Sequence, residues 1–210
     1  VKAISRFIDE MPDQHRIALA VFDAKPEMLL DWRSKTDFQR QTFSLQDDSA
    51  GSNVYQALEW AGQQVKSIKG RKGVIVFTDG VDNLLSKKLV SFDRDGKPSI
   101  ATPDRDSDFQ KMVRSVAQSG AHMYFVAVNT DENPDPNPTP NAFNTIQHKA
   151  ARERMAIVAN RANGVLHLPK TIDDVGPLYE RIGKELGHAY TIGFAPKTVA
   201  RDGSRHTIQV

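Results

Sequence analysis

The chain has 210 residues, 39% hydrophobic and 26% charged, with no cysteine. That length and composition suit one sizeable globular domain with a core of its own, and they exclude disulfide and thiol chemistry. A net charge of +2 is spread along the chain without the dense basic stripe that nucleic-acid binding needs, and no apolar run is long enough to cross a bilayer as a helix.

The chain opens on a helical pattern, with Val1, Ile4, Phe7, Ile8 and Met11 on one face. It has no initiator Met, signal peptide or cap before that pattern, which reads as a chain beginning partway through a domain. Arg16 to Phe22 is an apolar run that predicts a buried strand, and Asp23 to Pro26 a turn. So short a link predicts that Met28 to Trp32 pairs back antiparallel as a hairpin. Residues 33–51 are polar and predict a loop. A helix opens at Ser52 or Asn53, and Val54, Leu58, Ala61, Val65 and Ile68 form an amphipathic stripe along it. Gly70 ends it.

Val74 to Phe77 is an unbroken apolar run, bounded by Lys72-Gly73 and by Thr78-Asp79-Gly80. Such a run predicts a strand buried on both faces of a parallel sheet. Strand, helix and strand in succession form a βαβ unit. Leu89 to Phe92 and Ser99 to Thr102 flank Asp93-Arg94-Asp95-Gly96 and predict an inserted hairpin. A helix from Asp106 to Ser119 places Phe109, Met112, Val113 and Val116 inward and ends at Gly120. Met123 to Val128 is a further buried strand.

Prolines at 134, 136, 138 and 140 make residues 133–141 an exposed loop. A helix from Phe143 or Thr145 to Ala162 ends at Asn163-Gly164, Val165 to Leu168 is a short strand, and Ile172 to Leu186 is the last helix. Ala189 to Phe194 and His206 to Val210 read as two strands joined around Asp202-Gly203. The alternation predicts a three-layer α/β/α, Rossmann-like sandwich with a mainly parallel sheet, an inserted hairpin and a C-terminal β-hairpin. The domain proper spans 1–187 and the hairpin extension 188–210.

Two loops carry candidate chemistry. Asp79 lies just past the carboxyl end of a strand, where open α/β sheets face their ligands. In a βαβ unit Ser52, at a helix N-terminus, lies on the same sheet edge. Hydroxyl and carboxylate oxygens converging there suit a hard divalent cation, which takes oxygen ligands. Bland readings stand beside this one: Ser52 as a helix cap, with a helix N-terminus in itself unfavourable to a cation, and Asp79 as an Asp-Gly turn residue. Asp104-x-Asp106-x-Asp108 lacks the glycine and distal Glu of a Ca²⁺ loop and reads as an acid-rich helix start. The histidines (15, 122, 148, 167, 188, 206) show no paired metal spacing, and no nucleophile elbow, P-loop or dinucleotide motif occurs. Lys66, Lys69, Arg71 and Lys72 cluster where a helix C-terminus favours cations.

Gly51-Ser52-Asn53-Val54-Tyr55-Gln56-Ala57-Leu58, followed by Val74-Ile-Val-Phe-Thr-Asp-Gly-Val-Asp-Asn83, resembles the von Willebrand factor A domain. Tyr190-Thr-Ile-Gly-Phe-Ala-Pro196, with Asp202-Gly203 and Arg205 to Val210, resembles the ending of bacterial, notably acidobacterial, proteins related to that family. The resemblance implies a Rossmann-like fold with a metal-ion-dependent adhesion site for Mg²⁺, or Mn²⁺ or Ca²⁺. It implies an adhesion module that binds a protein partner rather than an enzyme, and an extracytoplasmic location. Ser52 falls where the family has a metal-binding Thr, and Asp79 on the Asp of its third metal loop. The family's first strand, ending in Asp-x-Ser-x-Ser, has no counterpart ahead of the helix at Val1, so the implied site is incomplete and metal binding weak or absent. Without that strand the centre of the sheet is missing and two apolar edges are exposed. Two other readings are a metal-dependent hydrolase or nucleotide-using enzyme with Asp79 at its centre, and a structural module with no metal site.

Overall fold

Residues 7–9, 11–41, 51–81, 89–127 and 142–187 are described in the computed structural model. Strands β1 (Arg16–Phe22) and β2 (Pro26–Ser34) form the expected hairpin, pairing Phe22 with Pro26 at one end and Arg16 with Ser34 at the other, with register shifts on either side of Leu19. β1 is only partly buried, with Ile17 its one buried residue, so it is not the fully covered strand its apolar run predicts. The expected loop after β2 also begins differently, with helix α1 (Lys35–Gln39). Its start was written in the sequence as Ser34-x-x-Asp37. The Ser34 hydroxyl accepts from Asp37 N at 3.1 Å and donates to the Asp37 carboxylate at 2.7 Å, a reciprocal cap, and Phe38 is buried beneath it.

Helix α2 (Val54–Lys66) leads to β3 (Gly73–Phe77). β3 pairs in parallel with β6 (His122–Val126), Gly73 opposite His122, and β6 pairs in parallel with β7 (Val165–His167), Tyr124 opposite Val165. The inserted hairpin is β4 (Val90–Phe92) on β5 (Pro98–Ile100). Helices α3 (Ser107–Gln118), α4 (Ala142–Arg161) and α5 (Val175–Gly187) complete the order. The last helix is shorter than expected because a 3₁₀ turn takes Ile172–Asp174.

The parallel core holds one correction. Among the described residues β3 has one partner strand, and β1–β2 and β3–β6–β7 are separate sheets. Among those residues β3 is an edge, and Phe77 at its end is 48% exposed rather than covered on both sides.

Alternation along the strands sorts side chains to two faces. Val76, Met123 and Phe125 pack with Val54 and Leu58 of α2, Phe109, Met112 and Val116 of α3, and Met155 and Val158 of α4. Ile75, Tyr124 and Val126 point the other way, against Val175, Leu178, Tyr179 and Ile182 of α5 and against Phe7. The result is the three-layer sandwich, with two helical layers enclosing the sheet. α4 is apolar on more than one side because Ala150 and Ala151 also pack under the inserted hairpin, against Leu89 and Val90. The proline-rich run and the C-terminal hairpin lie outside the described residues.

Candidate functional site

The edge at the carboxyl ends of the parallel strands is built from two loops. The first precedes α2. Asn53, not Ser52, caps that helix: its side-chain oxygen accepts from Gln56 N at 3.1 Å, and its side-chain amide donates to the Gln56 side-chain oxygen at 3.1 Å. Asn53 N donates to Asp23 O at 2.8 Å, which fastens the helix start to the end of β1. Ser52 thus stands one residue outside the helix, and its hydroxyl makes no hydrogen bond among the described residues. The cap reading for Ser52 gives way to its neighbour because only Asn53 reaches N3 of the first turn.

Asn53→Ala is accordingly expected to cost about 1 kcal/mol, whereas Ser52→Ala stays within about 0.5 kcal/mol. Urea titration of the two variants checks this, and the reverse ranking would contradict it.

The second loop follows β3. Thr78 N donates to Val126 O at 3.2 Å, extending the ladder by one residue. The Thr78 hydroxyl accepts from Gly80 N at 3.0 Å, and Asp79 Oδ1 accepts from Val81 N at 3.0 Å. The two side chains brace the turn themselves. Asp79 is exposed, and its second carboxylate oxygen makes no hydrogen bond among the described residues. Gly80 has φ +78°, for which the turn needs glycine, and a Cβ there would displace the flexible end of the Met155 side chain.

Val54, in the first turn of α2, and Val76, one residue before the end of β3, belong to one apolar cluster. Among the described residues no hydrogen bond or ion pair joins Ser52 to Asp79, and no three His, Asp or Glu side chains converge as a metal cluster. Ser52 Oγ and Asp79 Oδ2 fit a hard cation in chemical kind, and they supply two donors where such an ion takes six or more.

Behind this edge lies a buried polar network that residue spacing did not announce. Arg154 is 3% exposed and Asp106 8%. Arg154 Nη2 stands 3.5 Å from Asp106 Oδ2, and Arg154 Nη1 donates to Ala101 O at 3.4 Å. The guanidinium also sits 5.3 Å from the Phe109 ring centroid, a cation–π contact. Asp106 caps α3, accepting from Phe109 N at 3.0 Å, and takes a hydrogen bond from the Tyr55 hydroxyl at 3.3 Å. Burial pushes the Tyr55 phenol above its ordinary range, against the pull of the Arg154 charge. The acid-rich helix start read from the sequence is thus a cap, and also one half of a buried ion pair.

The network reaches both loops. Tyr55 lies three residues after Ser52, and Met155, next to Arg154, packs beneath Gly80.

Residues 1–81 match the von Willebrand factor type A domain family. No curated protein matches the chain. Among solved structures, the chain is similar to an aerotolerance-related membrane protein from Bacteroides fragilis, at 14% identity and a TM-score of 0.56 over 88% of this chain and 85% of that one. It is similar to the conserved hypothetical protein BatB from Bacteroides thetaiotaomicron, at 13% identity and a TM-score of 0.52 over 88% and 85%. It is also similar to a von Willebrand factor type A protein from Catenulispora acidiphila, at 14% identity and a TM-score of 0.53, covering 89% of this chain and 37% of that one. At such identities the likeness is one of fold.

Proposed function

We propose that this chain, whose residues 1–81 match the von Willebrand factor type A domain family, is a protein-interaction module whose partner docks at the edge bearing Ser52 and Asp79, through a shared divalent ion. The observation that supports this reading is the state of the two side chains. Asp79 spends one carboxylate oxygen on its own turn and keeps the other exposed, and Ser52 is released from capping by Asn53. Both present oxygen to the carboxyl edge of a parallel sheet, where such folds bind ligands. The ion would be Mg²⁺, Mn²⁺ or Ca²⁺, all of which take oxygen ligands and keep water where the protein leaves room. Ser52 and Asp79 are the residues that would hold it, and it would supply a Lewis-acidic centre for an oxygen of the partner.

Under this reading the module binds and does not turn over a substrate, and it works outside the cytoplasm. The Bacteroides fragilis protein of similar fold is a membrane protein, while no helix among the described residues here is long and apolar enough to cross a membrane. The test is capture of partner proteins from the source cells' extracytoplasmic extract, in Mg²⁺ and in EDTA. Captured species are expected in Mg²⁺ alone and lost with Asp79→Ala. Capture unchanged by EDTA and by the variant rules the site out, and Asp79-dependent turnover of a phosphoester or ester would replace it with a hydrolase.

A further inference from the structure

A second feature lies at the outer strand of the sheet, at the carboxyl end of β7, two strands across from the end of β3. A cleft of about 280 Å³ opens between the end of β7 and the first turns of α5. Leu168, Pro169, Pro177 and Leu178 give it apolar walls, and His167, Asp174 and Arg181 supply its polar groups. Leu168 is 49% exposed at its mouth. That volume admits a small side chain or a short acid.

The chemistry turns on the pair Arg181–His167. Arg181 Nη2 lies 3.0 Å from His167 Nδ1. A guanidinium has donors and no acceptor, so Nδ1 must be the accepting nitrogen and the imidazole carries its proton on Nε2. Burial, then the Arg181 charge, hold this histidine below its ordinary pKa, against the opposing pull of Glu185. The accepting Nδ1 belongs to a neutral imidazole, and one nitrogen of the Arg181 guanidinium is held in place by it. His167 Nε2 is buried and has no hydrogen-bond partner among the described residues.

The acids nearby do not satisfy Arg181. Asp174 Oδ2 accepts from Thr171 N at 2.9 Å and from the Thr171 hydroxyl at 3.0 Å. Among the described residues Arg181 forms no ion pair. An oriented guanidinium with spare donors, beside apolar walls, is the arrangement that receives a carboxylate on two parallel hydrogen bonds.

We propose that this cleft is a carboxylate-binding subsite, anchored by Arg181 and positioned by His167, for an acid carried on a short apolar stem. The stem lies against Leu168 and Pro177, and the carboxylate meets the guanidinium nitrogens that His167 leaves open. The carboxyl terminus of a protein chain and a free branched-chain acid share that chemistry. The subsite needs no metal, so it stands or falls separately from the Ser52–Asp79 edge.

The test follows the His167 Cε1–H resonance of the full chain in EDTA. The probes are 4-methylpentanoate, 4-methylpentanamide, and acetyl-Gly-Gly-Leu with a free or an amidated terminus. The two acids are expected to shift the resonance saturably in the millimolar range, at least tenfold more tightly than their amides. Arg181→Gln is expected to abolish the response, and Arg181→Lys to weaken it without abolishing it, since an ammonium lacks the planar fork. Tighter binding of the tripeptide than of the free acid assigns the subsite to chain termini, and the reverse to small acids. Equal response to acids and amides, no saturable shift, or a response undiminished in Arg181→Gln would overturn the proposal.

Discussion

Arg154→Ala is expected to destabilise the domain by about 3–5 kcal/mol, because it leaves the Asp106 carboxylate charged and buried without its partner. The mechanism is specific enough to be separated from simple loss of packing. Asp106→Asn keeps an oxygen for the Phe109 N–H and removes the charge, so α3 retains its cap. With Asp106→Asn in the background, Arg154→Ala should cost distinctly less. The coupling in the double-mutant cycle is expected at about 1–3 kcal/mol. Urea titration at neutral pH reads all four proteins. Additive costs would mean that Arg154 acts through its contact with Phe109 and its bond to Ala101 O, not through the ion pair. The network ties the first turn of α2, the start of α3 and the middle of α4 together, with Met155 beneath Gly80. Loss of Arg154 should therefore also loosen both loops of the recognition edge, visible as faster amide exchange at Val81 and Gln56, the donors held by Asp79 and Asn53.

Gly164→Ala is the second large effect. α4 ends with Asn163 at φ 50°, and Gly164 N donates to Ala159 O at 2.8 Å, a left-handed helix end closed by a bond back into the last turn. Gly164 then passes directly against β6, where an added Cβ would overlap the main-chain carbonyl of Met123. A flexible side chain could move aside, but the Met123 carbonyl lies in the central strand of the three-stranded sheet. The strand would have to shift, at roughly 2–4 kcal/mol. Gly70 is the contrasting control: its φ is positive, at +89°, where that of Gly164 is not, and nothing lies within 4 Å of an added Cβ. Gly70→Ala meets only the conformational penalty, about 1 kcal/mol. A cost at Gly164 no larger than at Gly70 would show that the close approach to β6 does not govern Gly164.

Periodicity carried most of this fold. The stripe from Val54 to Val65 and the inward set Phe109, Met112, Val113 and Val116 are the buried faces of α2 and α3, because a single apolar stripe has only one way to be covered. The hairpins at 16–34 and 90–100 were equally legible, since short links leave the chain few ways to turn back. Apolar runs were less informative about burial. Val74 to Phe77 reads as a strand buried on both faces, yet among the described residues β3 has one partner strand and Phe77 is exposed. Pattern records which residues can be buried and is silent on whether a neighbouring strand arrives to cover them. The helix Lys35–Gln39 hid in a polar stretch because its evidence was a cap and one buried Phe, not a stripe.

The site was legible to a different degree. Asp79 could be placed past a strand end from the run before it, and the structure has it there, bracing its own turn. Assigning the cap was harder, because Ser52 and Asn53 are both good caps and only backbone geometry separates them. Arg154 and Arg181 gave no signal at all. Each lies on a helix among other charged residues; Arg154 is paired with Asp106, far away in sequence, and the cleft beside Arg181 forms only when the strand end at His167 folds back on the last helix.

The account's central claim is that Ser52 and Asp79 form part of a divalent-ion site. The most direct measurement is a calorimetric titration of Mn²⁺ and Mg²⁺ into the chain and into Asp79→Ala and Ser52→Ala. With two protein donors, binding is expected to be weak, in the millimolar range, abolished by Asp79→Ala and reduced by Ser52→Ala. Heats that persist unchanged in Asp79→Ala would contradict the claim and leave Asp79 as a turn residue.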